Sequence, residues 1–131
     1  MEISDYIKVG LKGEGIFNVS KEYSADYVGS GSLEVLATPG LVAFMERIAH
    51  SMLDKLLPEG FSSVGTLVEV HHLAPTPVGA IVHVQCEVIE VDERRITFDV
   101  QAWDETGKIG EGRHQRVIID VKRFLQRIHS R

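Results

Sequence analysis

Cysteine is nearly missing from this chain: Cys86 is alone among 131 residues. No disulfide can form within the chain, and the apolar neighbours of Cys86 suit a small core residue in a reducing compartment. Long apolar runs are missing too. Nowhere do eighteen apolar residues follow one another, and Met1-Glu2-Ile3-Ser4-Asp5 has neither the basic start nor the apolar stretch of a leader. The expectation is a cytoplasmic protein with no membrane partner. Basic residues are outnumbered, 14 Lys and Arg against 19 Asp and Glu for a net charge of -5. That balance argues against nucleic acid as a partner.

Several chemical signatures are lacking as well. There is no Gly-rich phosphate loop, and neither a Cys pair nor a His-Glu-x-x-His run offers a transition-metal site. His71-His72 cannot chelate if neighbours alternate across a strand. Ser-based hydrolysis lacks its Gly-x-Ser-x-Gly elbow, because Gly29-Ser30-Gly31-Ser32 has another pattern. No repeat or low-complexity tract divides the chain. With 44% hydrophobic and 25% charged residues it reads as a single domain over residues 1–131.

What is present is organised around residues 37–57. Thr38 is placed to cap a helix and Pro39 to occupy its first turn. Val42, Met45, Ala49, Met52, Leu53 and Leu56 recur at helical steps, and Pro58 with Gly60 closes the element. Glu46 falls on the border of that stripe. A carboxylate there loses water and becomes a candidate base, although a partly exposed Glu serving solubility is the more frequent case. Arg47 and Asp54 lie opposite the stripe and should be solvated.

Before this helix, Tyr6–Leu11 and Ile16–Val19 read as short strands separated by Gly13 and Gly15. Ser20–Ser32 reads as a loop or short helical turns. After the helix the period becomes two. In residues 62–73, Val64, Thr66, Val68, Val70 and His72 share one face, with Gly65, Leu67, Glu69 and His71 on the other. Ala74–Gly79 is a rigid turn, and three more strands follow in antiparallel hairpins. Gly110, Gly112, His114 and Arg116 share one face of the last strand, where the glycines admit a ligand or another backbone. Val121, Phe124, Leu125 and Ile128 mark a short amphipathic tail helix. The sum is an α+β domain: an antiparallel sheet of five or six strands against one buried helix. A long edge strand would favour pairing of two copies.

The start of the core helix, with free N–H groups and the positive end of its dipole, suits an oxygen that becomes negative during acyl transfer. Glu46 stands about 12 Å along the axis from Thr38, so direct contact of the two side chains is not expected, although Glu46 leans back toward the N-terminus and a substrate could span the gap. A His and a dewatered Glu suit proton transfer near neutral pH.

Four segments in order carry a further likeness: Ala37-Thr38-Pro39-Gly40 through Met45-Glu46, Val64-Gly65-Thr66, His72-Leu73-Ala74-Pro75-Thr76-Pro77-Val78-Gly79, and Gly110-Glu111-Gly112-Arg113-His114-Gln115-Arg116. Over nearly the whole domain the chain resembles hot-dog-fold thioesterases of the fluoroacetyl-CoA thioesterase-like group. The resemblance implies a sheet wrapped around one long central helix, protomers paired as a homodimer or assembled further as a tetramer, and acyl-CoA bound near their interface. It implies hydrolysis of a CoA thioester without metal or cofactor, CoA being part of the substrate. Thr38, Glu46 and His72 take the positions of the family's catalytic residues. Gly65, His114 and Arg116 take positions near its acyl or CoA pocket. Val28-Gly29-Ser30-Gly31-Ser32 lacks the aromatic lid of the fluoroacetate-detoxifying enzyme. Two other readings share these residues: an enoyl-CoA hydratase-like enzyme and a non-catalytic acyl-CoA-binding module.

Overall fold

The N-terminal residues do not form the expected first strand. In the computed structural model, which describes all 131 residues, Ile3–Asp5 make one 3-10 turn that buries Ile3, and Ile7 follows it into the core. The first strand, β1, is Lys12–Asn18. Gly13 and Gly15 lie inside it rather than before it. A Cβ at Gly13 would run into the Met52 side chain and one at Gly15 into Ile48, so these glycines let a helix lie close on the strand.

Ser20–Ser32 takes the expected short turns. Lys21–Tyr23 is a 3-10 turn and Ala25–Val28 a one-turn helix, α1, capped by the Ser24 hydroxyl and ended by Gly29 in the left-handed region. The core helix α2 is Thr38–Asp54. Its buried side is Leu41, Phe44, Met45, Ala49, Met52 and Leu53. That stripe is turned from the expected one: Val42 is only half-buried and Leu56 is exposed, whereas Phe44 is fully buried. The cause is aromatic packing, with Phe44 stacked on Phe17 at 4.4 Å and met edge-on by Tyr23 at 4.8 Å. Arg47 and Asp54 are exposed as expected.

Four more strands complete one antiparallel sheet: β2 Phe61–His72, β3 Ile81–Asp92, β4 Arg95–Asp104 and β5 Gly107–Asp120. Their order is β1-β3-β4-β5-β2, which leaves β1 and β2 as edges. Val82, Val84, Cys86 and Val88 of β3 and Ile96, Phe98, Val100 and Ala102 of β4 are all fully buried beneath α2. Burial pushes the Cys86 thiol up to about 12, Asp99 adds to the rise and the backbone at Ala49 opposes it. Cys86 is thus an inert core residue. The tail helix α3, Val121–His129, is capped by Asp120 and buries none of its residues.

The alternation expected across β2 breaks at one residue. Gly65 pairs with Arg116 and Leu67 with Gln115, leaving Thr66 in a bulge. Ser63 and Gly65 therefore face inward before the bulge, and Val68, Val70 and His72 after it, opposite His114, Gly112 and Gly110. Val64 does not share the face of His72, and Gly65 does. At Gly112 a Cβ would collide with the backbone of Glu69, which is the close approach of another chain segment that two glycines in one strand suggested.

Two contacts tie the entry to α2 against the exit from β2. Val35 bridges Pro77, and the Leu36 N–H donates to the Thr76 carbonyl at 2.7 Å. The buried Thr76 hydroxyl in turn donates to Asp104 at 2.8 Å, fixing this turn to the β4–β5 hairpin. Burial pulls the Asp104 carboxyl up, and hydrogen bonds from Thr106, Thr76 and Gly107 outweigh that and hold it below the usual range.

Candidate active site

Thr38 does not cap its helix. Ala37 occupies the N-cap and no side chain closes the first turn. The Thr38 hydroxyl instead meets Nδ1 of His72 at 2.8 Å, across the gap between the start of α2 and the end of β2. The Thr38 and Gly40 amides have no backbone acceptor, because the first helical bond runs from Leu41 to Ala37. An uncapped helix start, a hydroxyl and an imidazole thus share one place.

Burial lowers the pKa of His72, with the backbone at Ala74 offsetting part of the effect. The ring is neutral at pH 7, so one nitrogen is free of a proton. Its Nε2 is buried and has no partner. Whichever nitrogen carries the proton, Nδ1 is engaged by Thr38 and Nε2 is the position left for a second group. Thr38 and His72 line an open cleft of about 340 Å³ whose other walls come from Ala25 and Ser30 and from residues 35–37 and 73–75.

Glu46 stands elsewhere. Its carboxylate is 3.7 Å from Nη1 of Arg116 and 41% exposed, in a separate shallow hollow of about 400 Å³ shared with Ala43, Arg47, His50 and Ser63. Gly65 lies directly beneath, since a Cβ there would be 2.8 Å from the Glu46 Oε2 and 3.2 Å from His114. Only glycine leaves that carboxylate its place.

Arg116 is held from three sides. Its Nε donates to the Ser63 hydroxyl at 2.8 Å, Nη2 to the Ser63 carbonyl at 3.2 Å, and Nη1 lies 3.1 Å from Nε2 of His114. His114 has its Nδ1 at 2.8 Å from the Leu67 carbonyl, so Nδ1 carries the proton and donates, and Nε2 accepts from Arg116. Burial lowers the pKa of His114, and the Leu67 carbonyl pulls against it. Burial also lowers that of Arg116 while Glu46 and Asp54 raise it, and a guanidinium stays charged regardless. His114 is 1% exposed with both nitrogens engaged, so it orients Arg116 rather than facing a ligand.

The six residues singled out in the sequence therefore form two groups in one chain, Thr38 with His72 and Glu46 with Gly65, His114 and Arg116. Ser63 belongs to the second group and was missed. Its only signal was a place two residues before Gly65 on the same face, hidden because the bulge at Thr66 falsifies the alternation read from the far end.

The model of the family described as fluoroacetyl-CoA-specific thioesterase matches residues 19–122, a span holding both groups. The chain belongs to this family. Within the fluoroacetyl-CoA-specific thioesterases, the fluoroacetyl-CoA thioesterase of Streptantibioticus cattleyicolor is 35% identical over 98 residues, 75% of this chain and 70% of that one. A mutant of the fluoroacetyl-CoA thioesterase FlK solved in complex with acetyl-CoA superposes with a TM-score of 0.89 at 29% identity, covering 95% of this chain and 98% of that one. The hot-dog-like protein from Thermanaerovibrio acidaminovorans gives 0.92 at 28% identity, over 99% and 96%. The fold is the hot-dog fold, with the sheet on one side of α2.

Proposed function

We propose that this protein hydrolyses an acyl-CoA thioester to the carboxylate and free CoA. The observation that carries the reading is the 2.8 Å contact between Thr38 and His72 at an uncapped helix start, in a chain of a thioesterase family. The thioester carbonyl oxygen lies at the free amides, where charge developing on it meets the positive end of the helix. Thr38 positions that carbonyl. His72 moves the proton: water adds its oxygen to the carbonyl carbon, the carbon–sulfur bond breaks, and the departing sulfur takes up the proton. Glu46 supplies the carboxylate that attacks the carbonyl or activates the water.

In one chain Glu46 is too far from the Thr38–His72 pair for this, about 12 Å along the helix. A homodimer removes the difficulty. Leu67 and Val68 are neighbours on opposite faces of edge strand β2 and are 41% and 42% exposed. Such an apolar edge favours pairing with another strand. Antiparallel pairing of β2 with its copy reverses direction, so the Gly65 end of one strand, beneath Glu46, lies beside the His72 end of the other. The site is then completed by Glu46 of the partner subunit, and the CoA portion runs along the seam. No helix is long and apolar enough to cross a membrane.

Thiol release from a panel of CoA esters tests the reading. Glu46→Gln and His72→Ala should each lower turnover about a hundredfold with unchanged far-UV circular dichroism. Unchanged turnover would remove these residues from the mechanism. Saturable binding of esters without thiol release would mark a binding module, and hydration of crotonyl-CoA a hydratase.

A further inference from the structure

The cavity beside Thr38 and His72 says which acyl groups fit. We propose that it is an acyl pocket for neutral, apolar groups larger than acetyl, and that Ser30 sets its reach; this rests on the thioesterase reading above. Three observations carry it.

The first is size. A two-carbon acyl group takes roughly the room of two waters, ~60 Å³ at ~30 Å³ each. The space measures about 340 Å³ and is open to solvent on one side, within the range of clefts that hold whole small ligands. An acetyl group would leave most of its lining without contacts, whereas a six-carbon chain or a phenyl ring would gain them.

The second is chemistry. Val35, Leu36, Leu73 and Pro75 give apolar walls, and Ser30, Thr38 and His72 are the polar residues among those that line it. No Lys, Arg, Asp or Glu of the same chain lines it. An acyl group ending in a carboxylate would lose water against these walls and meet no cation of the same chain.

The third is how the roof is made. α1 and the segment that follows it turn their bulky side chains away: Tyr27 is 71%, Leu33 68% and Val28 44% exposed. Only Ala25 and Ser30 of the residues from 25 to 34 reach the cavity. Gly31 packs its backbone on Ala25, where a Cβ would come within 3.2 Å of the alanine methyl. The roof is backbone and small side chains, so the space beneath it stays open, and a large residue at 30 would fill it.

The test is kcat/KM for thiol release from acetyl-, hexanoyl-, phenylacetyl- and succinyl-CoA. Hexanoyl- or phenylacetyl-CoA should exceed acetyl-CoA by about tenfold or more, the worth of a few well-packed methylenes, with succinyl-CoA the poorest. Ser30→Phe should lower the hexanoyl-to-acetyl ratio at least about tenfold, Ala25→Leu should act in the same direction from the opposite wall, and Tyr27→Ala should not move the ratio. Preference for acetyl-CoA in the parent protein, or a ratio unmoved by Ser30→Phe and Ala25→Leu, overturns the proposal while leaving the thioesterase reading intact. Absence of thiol from every ester overturns both.

Discussion

His72 carries the most exposed commitment at the scale of single residues. Burial keeps its pKa below the ordinary 6.5, so the folded protein holds this ring neutral at pH values where the unfolded chain has already taken up a proton. Stability is therefore lost as pH falls from about 6.5 toward the lowered value, and the buried His114 adds in the same direction. The reaction needs the same neutral ring. The acid limb of kcat/KM should lie below pH 6.5, and rate profiles beside urea titrations at pH 7.5 and 5.5 check both statements. An acid limb above 6.5 would assign the titration to another group. The legibility of these residues was uneven. Thr38 stood out as a cap, a role it does not have, because a hydroxyl before a proline looks the same whether it bonds its own helix or an imidazole 34 residues away. The resemblance places His114 near the acyl or CoA pocket, and neither it nor the strand face shows that both ring nitrogens are engaged.

At the scale of elements the decisive feature is the bulge at Thr66, because it sets which side chains of β2 face α2. Deleting Thr66 removes the one unpaired residue and joins Gly65 to Leu67 in an unbroken ladder that keeps Val68, Val70 and His72 on the inner face. Thiol release should then stay within about tenfold of the parent, far from the roughly hundredfold loss expected on removing the imidazole itself. Far-UV circular dichroism should retain its strand signal. A loss as large as that of His72→Ala would mean that the bulge itself, beyond the pairing register, positions His72. The two longer helices and the four longer strands were legible, since each has a clean period. The bulge was not, because residues 62–73 alternate without a break in the sequence and only pairing with Arg116 and Gln115 reveals the extra residue. Gly13 and Gly15 misled for a related reason: a glycine that ends a strand and one that admits a helix look alike until the helix is in place.

The whole molecule is proposed as a pair. One chain holds Thr38 with His72 at one end of β2 and Glu46 with Arg116 near the other, and an exposed apolar strand edge between them. Leu67→Arg, which sets like charges against each other across such a seam, should give a monomer by light scattering and abolish thiol release while leaving the fold intact. A dimer that persists in this variant would place the interface on another surface.

The most direct test mixes two inactive proteins. Co-expressed with distinct affinity tags, His72→Ala and Glu46→Gln chains form a heterodimer in which one of two sites has all its residues intact, if those residues come from opposite copies. Purified through both tags, that heterodimer should recover about half of the parent turnover per dimer, since one of its two sites is whole. A heterodimer as inactive as its parents would show that Glu46 and His72 act within one chain and would contradict the account.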